Sequence, residues 1–99
     1  MGLFDRIKQE RNEQYGWSIN KKKGKIELND KYVTLTTQVP KKEIIVFYKD
    51  VTNVMRMHNF ITITTKTDEF KLAPMQLRGA EDAAKEVYVE LLEKVSDAE

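Results

Sequence analysis

The sequence has no cysteine, one histidine, two prolines and four glycines. Without cysteine, disulfides, thiolate nucleophiles and thiolate metal ligands are excluded. The glycines, at positions 2, 16, 24 and 79, are isolated and form no phosphate-binding loop. No apolar run approaches the ~18 residues that would span a bilayer. The first residues lack the basic and apolar regions of a secretory leader, so we expect a cytoplasmic protein.

Catalytic chemistry has few residues to use. A nucleophile needs a base within hydrogen-bonding reach, and His58 stands beside Asn59 at a predicted turn, where we expect a solvated side chain. The two serines lie near the ends of predicted elements, and one histidine without an Asp-x-Asp-x loop does not make a metal site. We therefore expect no enzyme activity, no metal, no cofactor and no small-molecule substrate.

Size and charge indicate one small domain. The 99 residues include 17 Lys plus Arg and 16 Asp plus Glu, for a net charge of +1. Residues 1–25 hold seven basic and three acidic side chains, whereas residues 66–99 hold five and nine. In one folded domain this asymmetry creates a dipole that could orient an anionic partner. Alternatively, the two ends attract each other or solvate different faces.

The hydrophobic pattern divides the chain into three parts. Residues 1–16 have Leu3, Phe4 and Ile7 on one helical face, which predicts a short N-terminal helix. Residues 17–24 contain lysines and a glycine, a composition typical of a linker. Residues 25–99 contain alternating strands and then a helical period over residues 80–96. The expected plan is an N-terminal helix, a basic linker and one domain.

Residues 25–72 predict five or six antiparallel strands, because apolar residues alternate and the chain's eight threonines all fall here. Asn29-Asp30 predicts a hairpin turn. The apolar run from Ile44 to Tyr48 predicts a strand covered on both faces, and the spacing of Val51 and Val54 predicts an irregularity.

Two stretches carry a family resemblance. Gly24-Lys-Ile-Glu-Leu-Asn-Asp-Lys-Tyr-Val-Thr-Leu, and later Asp50-Val51-Thr52-Asn53-Val54, resemble the opening strands and a strand junction of the pleckstrin-homology-like (PH-like) superfold, in particular bacterial PH and GRAM-type domains. The resemblance covers residues ~24 to ~96. It implies a mainly β, α+β fold: a PH-like split barrel of antiparallel strands capped by a C-terminal α-helix, with a role in binding.

The resemblance bears on the ligand as well. Its phosphoinositide-binding members have a basic motif in the loop that joins their first two strands. Here the loop expected at that place is Asn29-Asp30-Lys31, which is short and carries a carboxylate. This departure argues against specific recognition of an inositol phosphate. Other members of the superfold bind peptides, proteins or one another, so the fold alone does not choose a ligand.

One candidate site is the basic segment. Lys21, Lys22, Lys23 and Lys25 follow Trp17, a combination that suits an anionic membrane surface, with the N-terminal helix as a second anchor. Nucleic acid is disfavoured because no aromatic residues are interleaved with the lysines. Alternatively, the segment is a solubilising linker with Trp17 packed in the core.

The other candidate site is apolar. If Ile44, Val46 and Tyr48 face the core, Ile45 and Phe47 face outward, and we expect Met55 and Met57 on the following strand to join them. The N-terminal helix or a second chain would cover this patch. The leading hypothesis is therefore an interaction module that binds a protein or itself. The alternative is a peripheral binder of anionic membranes through the segment from Lys21 to Lys25.

Overall fold

A computed structural model describes residues 16–76 and 78–98. These residues form the strands β1 (Trp17–Ile19), β2 (Lys22–Leu28), β3 (Tyr32–Thr37), β4 (Lys42–Phe47), β5 (Val51–Met57), β6 (Phe60–Thr65) and β7 (Glu69–Pro74), a 3₁₀ turn (Tyr48–Asp50) and the helix α1 (Ala80–Asp97). The N-terminal helix expected over residues 1–16 falls, except for Gly16, outside the described residues.

The seven strands form one antiparallel sheet in the order β4-β3-β2-β1-β7-β6-β5. The sheet curls into a half-barrel, and α1 packs against β5, β6 and β7. The predicted mainly β architecture with a C-terminal helix is confirmed, and it is consistent with a PH-like fold. Because β4 and β5 come last on each side of the strand order, they are the two edges of the half-barrel.

The segment predicted as a linker, residues 17–24, is part of the sheet. Strand β1 and the first residues of β2 form a hairpin whose turn is made by Asn20 (φ 50°) and Lys21 (φ 71°). The Asn20 N–H donates to the Lys71 carbonyl oxygen, and the Lys71 N–H donates to Asn20 Oδ1, both over 2.8 Å. A three-residue strand is too short to show alternation, and its pairing with β7 is not visible in local sequence.

Gly24 allows β2 to pack closely against β3 and the side chain of Ile19. A Cβ atom at this position would lie 2.3 Å from the Thr36 carbonyl oxygen and 2.8 Å from Ile19 Cδ1. Only glycine lets the neighbouring strand and the buried isoleucine approach this closely. The glycine that composition assigned to a linker is therefore a packing residue of the sheet.

The interior follows from the period of two along each strand. Buried residues come from both halves of the sheet and from the helix: Ile19, Val33, Leu35, Val46, Tyr48, Val54, Ile61, Ile63, Phe70, Leu72, Ala84 and Leu91. On the helix, Val87 and Val95 are half-buried against this cluster, which confirms the predicted apolar stripe. The predicted irregularity of β5 is also confirmed, as a register shift between Val51 and Asn53.

Candidate functional site

The outer face of β4 presents two large apolar side chains. Ile45 is 48% exposed and Phe47 is 44% exposed, whereas Val46 between them is buried. The Phe47 ring meets the Tyr32 ring edge-on, with centroids 5.7 Å apart. The prediction that Ile45 and Phe47 face outward is confirmed. Among the described residues, both side chains are about half exposed, so cover of this strand on both faces stays a prediction.

The hydrogen-bonding pattern shows which backbone groups of β4 face the open edge. The Tyr48 N–H donates to the Lys31 carbonyl oxygen over 3.1 Å, in register with the pairing of β3 and β4. In an antiparallel ladder, hydrogen-bonded pairs alternate with non-bonded pairs. Alternate residues that precede Tyr48 therefore bond to β3. The N–H and C=O groups of Glu43, Ile45 and Phe47 point away from β3.

No strand among residues 16–76 and 78–98 pairs with that side of β4. Beside it lies a cleft of about 410 Å³. Its walls come from β4 on one side and from the turn between β6 and β7 on the other, with Phe70 also lining it. The open edge is thus accessible along the stretch where Ile45 and Phe47 are exposed.

Met55 and Met57 do not extend this patch by strand pairing, contrary to expectation. They lie on β5, at the other end of the strand order from β4. Met57 is opposite Phe60, and these two side chains and Met55 are all at least half exposed. The described surface therefore has large exposed apolar side chains on both edge strands.

The predicted lysine cluster lies at one end of the half-barrel. Lys21 is in the turn between β1 and β2, and the Gln38 N–H in the turn between β3 and β4 donates to the Lys23 carbonyl oxygen over 2.9 Å. Asn20 bonds to Lys71 on the other side. These contacts place further lysines of the neighbouring turn and strands at the same end of the sheet: Lys41, Lys42 and Lys71.

Those additional lysines were missed because they are far from Lys21 in sequence. The available signal was Pro40 followed by two lysines. This signal predicts a basic turn, but it does not predict that the turn lies close to the one that carries Lys21. The first two strands are joined at Asn20-Lys21, within the basic segment, and not at Asn29-Asp30 as expected. The carboxylate of Asp30 therefore no longer counts against specific recognition of an inositol phosphate.

Trp17 is separated from most of the lysines. It is half-buried, opposite Gly24 on β2 and Pro74 on β7, and it packs against the core. Because side chains alternate along a strand, Lys23 and Lys25 point to the opposite face of the sheet from Gly24. Of the two expectations for Trp17, packing against the core describes its position better than a membrane anchor beside the lysines.

Charge is divided between the sheet and the helix. Residues 16–76 carry eleven Lys plus Arg against six Asp plus Glu, whereas α1 carries two against six. An ion pair links the two parts, since Arg56 Nη1 lies 3.7 Å from Glu81 Oε1. The sheet is therefore the basic part of the domain and the helix the acidic part.

Two titratable side chains, His58 and Tyr48, bear on possible acid–base chemistry. Among the described residues, no group of three or more His, Cys, Asp or Glu is arranged to hold a metal ion. His58 is exposed at the turn between β5 and β6, with φ 56°. Burial, reinforced by the carboxylates of Glu90 and Asp30, raises the pKa of Tyr48 to about 12. Its hydroxyl donates to the Asn29 carbonyl oxygen over 2.6 Å.

Comparison of the chain with protein-family models, curated proteins and solved structures found no match. Within the described part of the chain, no helix has the length and apolar character needed to cross a bilayer. Two features of the described residues therefore bear on function: the open edge of β4 and the lysine-rich end of the half-barrel.

Proposed function

We propose that this chain is a PH-like interaction module, related to bacterial PH and GRAM-type domains, that binds another protein or a second copy of itself through the edge of β4. The observation that carries the proposal is a coincidence of two properties on one strand. Ile45 and Phe47 have exposed apolar side chains and also direct their backbone N–H and C=O groups toward the open edge.

An extended segment of a partner can use both properties. Its backbone adds a strand to the sheet and gains main-chain hydrogen bonds, while apolar contacts on the exposed face select the partner. Proteins that avoid such association place charges, prolines or bulges along an edge. From Ile44 to Phe47 the strand has none of these, and its register with β3 is regular throughout.

We propose binding rather than catalysis for this module. His58 is exposed at a turn, and the described neighbourhood offers it a contact only through its own carbonyl oxygen, which accepts from Arg56 over 2.7 Å. Tyr48, with a pKa of about 12, stays protonated near neutral pH and donates to a backbone carbonyl. Neither residue is paired with a hydroxyl nucleophile in the way that acid–base catalysis requires.

The test is affinity capture from the native host with matched baits, followed by mass spectrometry. The wild-type chain is compared with Ile45→Lys and with Met55→Lys, which places the same charge on an equally exposed residue of the other edge strand. We expect the wild type and Met55→Lys to retain the same specific protein, or untagged copies of this chain, and Ile45→Lys to lose it. Equal recovery with Ile45→Lys contradicts the proposal.

A second candidate function is peripheral binding to anionic membranes through the lysine-rich end. It is supported by the proximity of the turn that carries Lys21 to the turn between β3 and β4 and to β7. Lysines near an anionic membrane contribute about 1 kcal/mol each, so a cluster of them would give salt-sensitive binding.

Vesicles of phosphatidylglycerol and phosphatidylcholine test this candidate. Changing the lysines at 21, 22, 23 and 25 to Gln should reduce sedimentation with the vesicles at least tenfold, since about 1 kcal/mol is lost per lysine. The control changes four lysines elsewhere to Gln: Lys31, Lys49, Lys85 and Lys94. Equal losses in both variants, or binding that salt does not weaken, would reject a localised anionic site.

A further inference from the structure

We propose that the partner at the edge of β4 is a second copy of this chain, joined by antiparallel pairing of the two β4 strands about a twofold axis through Ile45. This inference rests on the proposed function, because it uses the same edge. It specifies that the partner is a second copy and that the two β4 strands pair in a single register.

The register follows from the backbone groups that are directed outward. In each copy these belong to Glu43, Ile45 and Phe47. With the axis at Ile45, this residue pairs with the partner subunit's Ile45, and Glu43 pairs with the partner subunit's Phe47. Every outward-facing position then meets an outward-facing position of the other copy. If the register shifted by one residue, the outward-facing N–H and C=O groups would lie opposite backbone groups that already bond to β3. If it shifted by two residues, one of the three outward-facing residues in each copy would lose its outward-facing partner.

The same register brings opposite charges together. Within one chain, Lys49 Nζ lies 6.0 Å from the centroid of the Phe47 ring. Because Glu43 would lie opposite the partner subunit's Phe47, its carboxylate would approach the partner subunit's Lys49. Twofold symmetry creates this contact twice, once at each end of the paired strands. At the centre, the two Ile45 side chains would meet on the outer face and lose solvent exposure.

The edge is also open enough to receive a strand. The cleft of about 410 Å³ lies alongside β4, between that strand and the turn formed by Thr65–Asp68. The other edge strand, β5, is one of the strands against which α1 packs. A strand of the second copy would thus extend the half-barrel at β4 and not at β5.

Sedimentation velocity of the full chain over a concentration series tests the dimer. We expect the wild type and Met55→Lys to show the same monomer–dimer equilibrium, within about twofold in Kd, because scattered surface changes have small effects. For Ile45→Lys we expect dimerisation to weaken by at least about tenfold, because two like charges would meet on the axis. Circular dichroism and urea denaturation establish that all three proteins are folded.

Charge exchange tests the register itself. Glu43→Lys and Lys49→Glu should each weaken the dimer by about threefold, the scale expected for exposed ion pairs. The double variant Glu43→Lys/Lys49→Glu should return to within about twofold of the wild type. An interface elsewhere on the molecule would not show this rescue.

A chain that is monomeric at every concentration, or a dimer that Ile45→Lys and both charge changes leave unaltered, overturns the inference. A monomer whose Ile45 amide is nevertheless protected from exchange would place residues 1–15 of the same chain on the edge, which also overturns it. If the chain is monomeric and affinity capture of another protein still depends on Ile45, the dimer fails while the proposed function stands. Loss of both would reject both.

Discussion

The two edge strands of the half-barrel, β4 and β5, differ in how the rest of the domain packs against them. Strand β5 carries a register shift near its start, and α1 packs along it, with Val54 buried and Arg56 half-buried. Strand β4 pairs regularly with β3, and no described strand pairs with its other side. Both strands expose large apolar side chains, and on β4 those of Ile45 and Phe47 belong to residues whose backbone groups point away from β3.

This difference shows how a small domain can pack its helix against one edge strand while no described strand pairs with the other. Unprotected edges invite association, and covering one of them with a helix is a common solution. Within residues 16–76 and 78–98, α1 is the one α-helix, and the connection after β7 places it against the half of the sheet that contains β5. The following predictions test that division, beginning with the largest expected effect.

Removing the contact between the helix and the sheet should be costly. Leu91 is fully buried on α1, and Leu91→Ala should lower the free energy of unfolding by about 2–5 kcal/mol, as for other buried leucines. The neighbouring Leu92 is 40% exposed, so Leu92→Ala should cost less than about 1 kcal/mol. Urea denaturation measures both. Similar losses for the two variants would contradict the packing of α1 on the sheet.

Tyr48 begins the 3₁₀ turn that joins the two edge strands, and its hydroxyl should contribute to the free energy of unfolding. Tyr48→Phe removes the hydrogen bond from the hydroxyl to the Asn29 carbonyl oxygen and leaves that acceptor without its partner, at a cost of about 1–2 kcal/mol near neutral pH. Urea denaturation of the two proteins gives this difference. A loss below about 0.3 kcal/mol would show that the hydroxyl does not hold the junction.

The same tyrosine should make stability depend on alkaline pH. Its pKa is about 12 in the folded protein and 10.0 as its ordinary value, so folding favours the protonated form. The stabilisation is complete below pH 10 and is lost as the pH rises toward 12. The stability difference between wild type and Tyr48→Phe should therefore shrink across this window, whereas lysine titration affects both proteins alike. A difference that stays constant to pH 12 would contradict the shifted pKa.

The contact of Arg56 with the helix should contribute less. Its guanidinium lies 3.7 Å from Glu81 and 5.9 Å from the centroid of the Tyr88 ring. Arg56→Met should cost about 1 kcal/mol, since the pair is partly shielded. On β7, the exposed pair of Lys71 and Glu69 is the control, and Glu69→Gln should change the stability by less than about 0.5 kcal/mol. Equal effects in denaturation would argue against a special role for Arg56.

The smallest effect on stability is expected at the open edge. Ile45→Lys, measured in dilute solution where only monomer is present, should change the free energy of unfolding by less than about 0.5 kcal/mol, as for other exposed sites. The same substitution is expected to abolish association. A loss of several kcal/mol in the monomer would mean that the side chain belongs to the core of the domain.

Much of the fold was predictable because its signals are local. Alternation identified β2, β3, β6 and β7, and the apolar run from Ile44 to Tyr48 identified β4. The spacing of Val51 and Val54 located the register shift in β5, and the helical period placed α1 within one residue of its observed end. The outward positions of Ile45 and Phe47 followed from the same alternation. Strand β1 was not predictable, because three residues cannot show a period and its partner β7 is more than fifty residues away.

The candidate sites were predictable only as segments. The lysines from 21 to 25 were visible as a cluster, but their approach to Lys41 and Lys71 depends on how strands pair across the sheet. Likewise, sequence grouped Met55 with Ile45 because their strands are consecutive, whereas the curled sheet puts those strands at its two edges. Which backbone groups of β4 face outward required the register with β3.

Amide hydrogen exchange along β4, measured by NMR at low and high concentrations of the full chain, tests the central claim most directly. The account predicts that the Ile44 and Val46 amides, which bond to β3, are protected at both concentrations. The amides of Glu43, Ile45 and Phe47 should exchange rapidly in dilute solution and become protected at high concentration. Protection of Ile45 and Phe47 at every concentration, or rapid exchange at every concentration, would contradict an open edge that is closed by association.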